Sequence, residues 1–428
     1  MTRISRRAFL RASSGLAILG LPSLVLGAQK QVVVVGGGAG GATAAKYLRK
    51  LDPTIAVTLI EARPHYVSCF MSNEVLSGSR TLESLTFGYD GLRRHGVDVV
   101  IDTVVAIDPV KKTLTTASGK NVIYDACVVS PGIDFKWEAI EGYNQQVSEH
   151  SLPHAWKTGP QIQLLRHQLE AMPDGGRILI SAPPSPYKCP PGPYDRASQM
   201  AMYCKRHKPK SKILILDPKN AFSKQELFIE GWSKLYGFGS DNSMIEWIGK
   251  EEGGAVESVD TKKRILVAGA GTFDGDVVNI IPAQKAGAIA FAADLVDGDW
   301  CPVDKQTFES RRHKDIYVLG DASDAQAMPK SAYAANSQAK VAAAAITARF
   351  NGLEPGNPTF INTCYSIVGE DFGISVAAVY GLDTDNNMIT KIKDSGGLSP
   401  SNANPQIRKR EVSYAHGWFE NITHDMFK

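Results

Sequence analysis

A chain of 428 residues is long enough for two or three domains around sizeable cores. Its 21% charged and 43% hydrophobic residues are an ordinary globular composition. The formal charge of +3 comes from the N-terminus: residues 1–27 hold Arg3, Arg6, Arg7 and Arg11 and no acid, and without them 43 basic residues face 44 acidic ones, a net of −1. No basic stretch is interleaved with aromatics, which excludes nucleic acid as an expected partner.

Residues 1–27 read as a targeting segment with a charged start, an apolar run and small residues at its end. Arg6 and Arg7, followed by Ala8, Phe9 and Leu10, have the pattern of a twin-arginine export signal. A membrane anchor is the competing reading, but Gly20 and Pro22 interrupt the run, which is short for a span. Cleavage is expected after Gly27 or Ala28. Such export carries folded proteins to a bacterial periplasm, where disulfides persist. No later stretch is long and apolar enough to cross a membrane.

The next segment, QVVVVGGGAGGATAAKYLRK, opens on a β-branched run at 32–35, the composition of a buried parallel strand. Gly36, Gly38 and Gly41 then fit G-x-G-x-x-G, and a helical composition follows. A second apolar run at 55–60 ends in Glu61, spaced to grip a ribose hydroxyl. This predicts a dinucleotide site, and Glu61 suits FAD or NAD equally. Farther on, residues 178–181 and 213–217 predict two strands of a second α/β unit.

The turn after the first of those strands breaks the pattern. SAPPSPYKCPPGPYDRAS holds five prolines before its single glycine is passed, and it carries Cys189. Proline removes N–H donors and fixes φ, so this turn cannot cradle a pyrophosphate as a glycine loop does. NAD(P)H is therefore not the expected second substrate. Asp195, six residues after Cys189, reads either as a proton-transfer group or as the N-cap of a helix over 196–206.

Near the C-terminal end, KDIYVLGDASDAQ sets an apolar strand at 316–319 before Gly320 and Asp321. This resembles the second flavin motif of two-dinucleotide-domain flavoproteins, and YDACVVSPGID at 124–134 resembles their intermediate motif. The likeness implies FAD, with Asp321 bonding its ribityl or pyrophosphate portion; a helix cap is the plain alternative. The helix after Pro329 is expected to aim its N-terminus at the flavin pyrimidine, with Lys330 adding charge or simply solvated.

The expected fold is α/β: a two-dinucleotide-binding-domain, disulfide reductase-like flavoprotein with a C-terminal α+β domain. Residues 31–140 plus 265–350 form the FAD-binding domain, 141–264 the second α/β unit without its NAD loop, and 351–428 the C-terminal domain. The last is read as short strands at 363–368, 374–380 and 388–392 and a polar loop, DSGGLSPSNANP.

The six cysteines form no CxxC pair and no CxxCH, so no zinc site is expected and the chain offers no c-type haem attachment. Cys127 and Cys204 fall at core positions; Cys301 has no evident place. Three cysteine contexts, RPHYVSCFMSNEVLSG around Cys69, YKCPPGPYDRAS around Cys189 and INTCYSIVGEDFGISV around Cys364, resemble the flavoprotein subunit of flavocytochrome c sulfide dehydrogenases. WCPVDKQTFES and MPKSAYAANSQAKVAAAA are similar to that family too. The resemblance implies FAD carried covalently on Cys69 and a redox-active disulfide between Cys189 and Cys364. It implies hydrosulfide as substrate and a separate c-type cytochrome subunit as electron acceptor.

Simpler readings stand beside these. Cys189 and Cys364 also suit a structural disulfide, and Cys69 a free thiol. The family more often carries glutamate where Asp195 stands. Trp418 and His416, in AHGWFEN, are expected to close over the flavin, with Phe419 in the core. The rival functions are a sulfide:quinone reductase, an NADPH-dependent disulfide reductase, which the missing glycine loop opposes, and a flavin-bearing docking subunit without turnover.

Overall fold

The computed structural model describes residues 29–428 apart from Thr158; the export-signal reading of residues 1–27 lies outside the described residues. Two parallel sheets organise the first three quarters of the chain. The first has five strands in the order Ile316–Val318, Ala126–Val129, Gln31–Val35, Ala56–Glu61, Val97–Ile101. Val32–Val35 sit in its middle and are buried on both faces, which is why that strand is a continuous valine run. The helix Ala39–Leu51 leaves this strand and packs against the alanine-rich helix Ala332–Phe350. Small side chains on both let the two backbones run close.

The second sheet has four parallel strands, Ile245–Ile248, Lys212–Leu216, Arg177–Ser181 and Val277–Ile280. This moves a boundary. The return to the first unit was expected at 265, yet Val277–Ile280 pairs with Arg177–Ser181. The antiparallel strands Val256–Asp260, Ile265–Ala268 and Gly271–Asp274 lead into it across that point. A short apolar run such as VVNI satisfies burial in either sheet, so its composition does not say which one it joins.

The C-terminal region differs from its expected form. Its first two strands are long, Thr359–Gly369 and Phe372–Asp383, and pair antiparallel along nearly their whole length. A 23-residue helix, Pro405–Phe427, follows the expected polar loop, in a stretch read only for its aromatics. Asn404 caps it, its side chain accepting from Ile407 N–H at 2.9 Å, and Pro405 fills the first turn. The helix packs on the strand Phe372–Asp383 and on the first unit's helix. His416 fixes it further: its Nε2 lies 2.7 Å from buried Glu74 Oε1, whose other oxygen meets Arg80 Nε at 2.5 Å. The His416 ring is thus engaged at this anchor and does not reach over the nucleotide groove, against expectation.

Candidate active site

The groove begins where the first strand ends. Gly36 has φ +96°, and a Cβ there would lie 2.4 Å from Ser130 O. A Cβ on Gly41 would lie 1.8 Å from Gly36 O, so only glycine lets the helix start this close to the turn. Gly36, Gly38, Glu61, Gly320 and Asp321 all line one groove of about 370 Å³ that also runs past Ser130 and Cys69. Glu61 Oε2 accepts from Gly37 N–H at 2.6 Å. Asp321 is the informative member. Its carboxylate is buried, its Oδ1 has no hydrogen-bond partner, and burial raises its pKa against the pull of Lys188 and Lys330. A buried acceptor left open in the wall of a glycine-lined groove fits the hydroxyls of a dinucleotide.

The groove runs into a second, smaller cavity of about 60 Å³, and there the three cysteines meet. Cys69 and Lys188 border both spaces. Cys189 arrives from the proline loop, Cys364 from the middle of the strand Thr359–Gly369, and Trp418 from the C-terminal helix. The indole N–H groups of Trp156 and Trp418, both lining this cavity, lack partners. The helix Ala332–Phe350 starts at its edge: Ser331 accepts from Ala334 N–H at 3.0 Å, and Ala332 borders both spaces. This is the helix terminus expected beside the flavin.

Cys189 is held by more than prolines. Its own φ is +58°, a left-handed conformation that non-glycine residues seldom adopt. Its N–H donates to Lys330 O at 2.7 Å and its carbonyl accepts from Gly192 N–H at 2.8 Å. Gly192 is required here, since a Cβ would lie 2.4 Å from Trp156 and 3.1 Å from Cys189 Sγ. Cys189 and Cys364 are both thiols, not joined to each other. Burial raises the pKa of each; neighbouring negative charge adds to this at Cys189, and Lys224 opposes it at Cys364.

Asp195 ties the cavity wall together. It lies in the first turn of the helix Gly192–His207 rather than at its cap, which is Pro191. The extra turn upstream, starting at Gly192, takes the N-cap role away from it. Its Oδ2 accepts from Asn73 Nδ2 at 2.8 Å and its Oδ1 from Ile367 N–H at 3.1 Å. Burial raises its pKa to about 6, with Asn73 and Lys224 holding it back from going higher. Arg196, next in sequence, is fully buried and lines the cavity. It donates to His154 O at 2.8 Å, Asn279 Oδ1 at 2.9 Å and Asn73 Oδ1 at 3.1 Å, and burial lowers its pKa to about 9.

Other residues fall elsewhere. Lys330 turns away from the groove: Nζ donates to Asp321 O at 2.7 Å and Ser323 O at 3.0 Å and lies 3.6 Å from the Trp300 ring centre. Burial lowers its pKa to about 8. Its backbone carbonyl, not its charge, serves the site. Cys127, Cys204 and Cys301 are buried core thiols, pushed by burial to about 12. Lys188, Arg196, Asn73 and Trp156 escaped the sequence reading. Only Lys188 and Arg196 carried a signal, as cations flanking Cys189 and Asp195. The second unit has an acid at the end of its own second strand, Asp217, but it is spent inside the protein: it accepts from Tyr194 OH at 2.5 Å and Trp247 Nε1 at 3.0 Å and pairs with Lys219 Nζ at 2.6 Å.

A glycine-lined dinucleotide groove, a second α/β unit without one and thiols between them define a two-dinucleotide-domain flavoprotein. Comparison with known proteins agrees. Residues 30–160 match the pyridine nucleotide-disulphide oxidoreductase model. Residues 162–282 match the central region of the flavocytochrome c sulfide dehydrogenase flavoprotein chain, and 356–427 its flavin-binding region. The flavoprotein chain of that enzyme from Chlorobaculum thiosulfatiphilum is 65% identical over 46 residues, 11% of this chain and 96% of that sequence. The chain belongs to the flavocytochrome c sulfide dehydrogenase flavoprotein family. A sulfide-quinone reductase of Aquifex aeolicus is 31% identical over 156 residues, so the match spans 36% of this chain and about a third of that protein, 35%. The solved structure of the Aquifex aeolicus sulfide:quinone oxidoreductase superposes with a TM-score of 0.70 over 92% of each chain at 19% identity. Among the described residues no helix is long and apolar enough to cross a membrane.

Proposed function

We propose that this chain is the sulfide-oxidising flavoprotein subunit of a periplasmic flavocytochrome c. It would carry FAD on Cys69, use Cys189 and Cys364 as a redox-active disulfide, and deliver electrons to a c-type cytochrome partner. One observation carries the reading: cysteines from three distant parts of the chain converge on one small cavity at the end of a dinucleotide groove.

Gly36, Gly38, Gly41 and Glu61 would hold the adenosine and pyrophosphate end of FAD, and Asp321 its ribityl end. When bound, the flavin accepts an electron pair from the sulfur chemistry and gives it up one electron at a time. The chain's own residues do the rest. A space of about 60 Å³ admits hydrosulfide but no large reductant. Burial penalises either cysteine as a thiolate, whereas a disulfide bears no charge and escapes that cost. Hydrosulfide attacks one sulfur of that disulfide: a new S–S bond forms as a persulfide, the old one breaks, and the other cysteine leaves as thiolate. Arg196 supplies positive charge at the cavity wall for the incoming anion and the departing thiolate. Asp195, titrating near 6, is ionised at neutral pH and able to take the persulfide proton.

The test has two parts. Acid denaturation should leave the yellow colour on the chain, with the flavin peptide containing Cys69. Anaerobic sulfide should then bleach the flavin of the isolated chain, and ferricytochrome c should restore the colour. No bleaching would leave the docking-subunit reading. The likeness to sulfide-quinone reductases favours quinone as the second acceptor to try; recovery with a quinone and none with ferricytochrome c would replace the acceptor assigned above.

A further inference from the structure

We propose that Gln199, together with Asp195, clasps the strand of Cys364 onto the helix that follows Cys189, and so sets how readily those two thiols close into a disulfide. This rests on the reading of Cys189 and Cys364 as a redox pair. The strand Thr359–Gly369 lies at the edge of its sheet and pairs on one side, with Phe372–Asp383. Among the described residues no second strand pairs with its open edge. Ile367, three residues after Cys364, turns both its N–H and its carbonyl to the helix Gly192–His207 instead. Asp195 Oδ1 accepts from Ile367 N–H at 3.1 Å, and Gln199 Nε2 donates to Ile367 O at 2.7 Å. These two side chains are four residues apart, hence on one helix face, and together they meet Ile367 as a neighbouring strand would.

The clasp continues to Cys189 without a gap. Asn73 Nδ2 lies 2.8 Å from Asp195 Oδ2 and 3.3 Å from Gly192 O, and Gly192 N–H donates to the Cys189 carbonyl at 2.8 Å. On either side of Ile367 the second α/β unit takes hold again: Lys224 Nζ donates to Ser366 Oγ at 2.9 Å, and Tyr236 OH donates to Val368 O at 2.7 Å. Upstream of Cys364 the holders come from the first unit. Ile361 N–H donates to Ser337 Oγ at 3.0 Å, and Ser331 Oγ donates to Asn362 Oδ1 at 2.6 Å. Cys364 therefore sits where the strand passes from one unit to the other, and the clasp governs its distance from the other unit's sulfur. Gln199 is buried, and its Oε1 has no partner. A half-paired amide is costly in a core, so its one bond, to Ile367, is what it contributes.

Closure breaks the S–H bonds of Cys189 and Cys364 and forms one S–S bond. Two electrons and two protons pass to the oxidant; in a glutathione buffer this is glutathione disulfide, which becomes two glutathione thiols. The equilibrium constant measures the effective concentration of one thiol beside the other, and it falls when either sulfur is freer to move away. Gln199 lines neither the groove nor the thiol cavity. It touches no reacting atom and acts through Ile367, so it is a positioning residue. Without its amide, the dithiol form can let the strand shift and rehydrate the Ile367 carbonyl. The disulfide form is pinned and leaves that carbonyl unpaired.

The measurement is that constant in wild-type, Q199L and Y236F holoprotein, equilibrated without oxygen in glutathione buffers. Acid quenching, alkylation and peptide mass read the Cys189–Cys364 bond, and absorbance checks that the flavin is in the same redox state in all three. Q199L should close about tenfold less readily, and Y236F, which keeps its ring and loses one neighbouring bond, about threefold less. Denaturant titration of both redox forms adds a readout that packing alone does not move: Q199L should lose more stability as the disulfide than as the dithiol. An unchanged constant in Q199L, or equal losses in the two forms, overturns the proposal. If Q199L does not fold, Y236F decides, and a constant equal to wild type overturns it. A wild type that forms no Cys189–Cys364 bond in the most oxidising buffer would instead overturn the disulfide reading beneath it.

Discussion

The two α/β units begin alike and diverge within a few residues. After Gln31–Val35 the chain turns through three glycines and starts a helix at Ala39. After Arg177–Ser181 it runs through a proline-rich loop and starts one at Gly192. The glycine turn leaves N–H groups free and brings backbone within contact of a phosphate. The proline turn removes those donors and presents a sulfur. The paired acids diverge in the same way. Glu61 borders the groove, whereas Asp217 is fully buried among Tyr194, Trp247 and Lys219. One scaffold thus offers a cofactor cradle in one copy and a rigid thiol mount in the other, and the choice rests on the turn.

The sharpest way to break this contrast is to remove the sulfur. Cys189→Ser or Cys364→Ser should slow sulfide-dependent bleaching by about 10³-fold or more, with flavin content unchanged, read by anaerobic stopped flow. Bleaching at the wild-type rate would show that the proline loop is not where sulfide reacts.

Asp195→Asn comes next, with a loss of about 10²-fold. The wild-type rate should fall as pH drops through about 6, because a protonated Asp195 accepts no proton, and the variant should lose that limb. Stability moves the other way. A carboxyl raised to about 6 by burial makes the folded state hold its proton more tightly, so its contribution is best below the unfolded value and is lost as pH rises through about 6. Relative to wild type, the variant should therefore gain stability between about pH 4 and 7, by no more than about 3 kcal/mol, in denaturant titrations at the two pH values.

On the cradle side, Asp321→Ala should weaken FAD binding about 10- to 100-fold, the worth of a hydrogen bond to a charged group, in equilibrium titration of a chain whose Cys69 is alanine. The smallest effect is expected from Pro190→Gly with Pro191→Gly. About 1 kcal/mol per site should be lost through a looser unfolded chain, seen as a lower Tm. NADPH should still not bind, because Asp217 stays engaged. NADPH binding after this change alone would mean that the turn, without the acid, decides between the two units.

The amino-acid sequence by itself determined the parts whose physics is local. A valine run, glycines at fixed spacing and a terminal acid already specify strand, turn, helix and ribose grip, because each depends on residues within one α/β step. The prolines around Cys189 likewise exclude a phosphate loop without reference to anything distant. The tertiary structure decided what depends on neighbours far along the chain. Val277–Ile280 joined the second sheet because its pairing partner was there, and apolar composition suits both. The helix Pro405–Phe427 was announced only by Asn404 and Pro405, since its Gly417, histidines and β-branched residues weaken the local signal; packing on the strand Phe372–Asp383 stabilises it. Lys330 pointed toward the flavin in sequence and away from it in space, because Trp300 and two carbonyls claim its ammonium. Lys188, Asn73 and Arg196 became site residues only when the fold set them around three sulfurs, since each comes from a different part of the chain than Cys69 and Cys364 or carries no local motif.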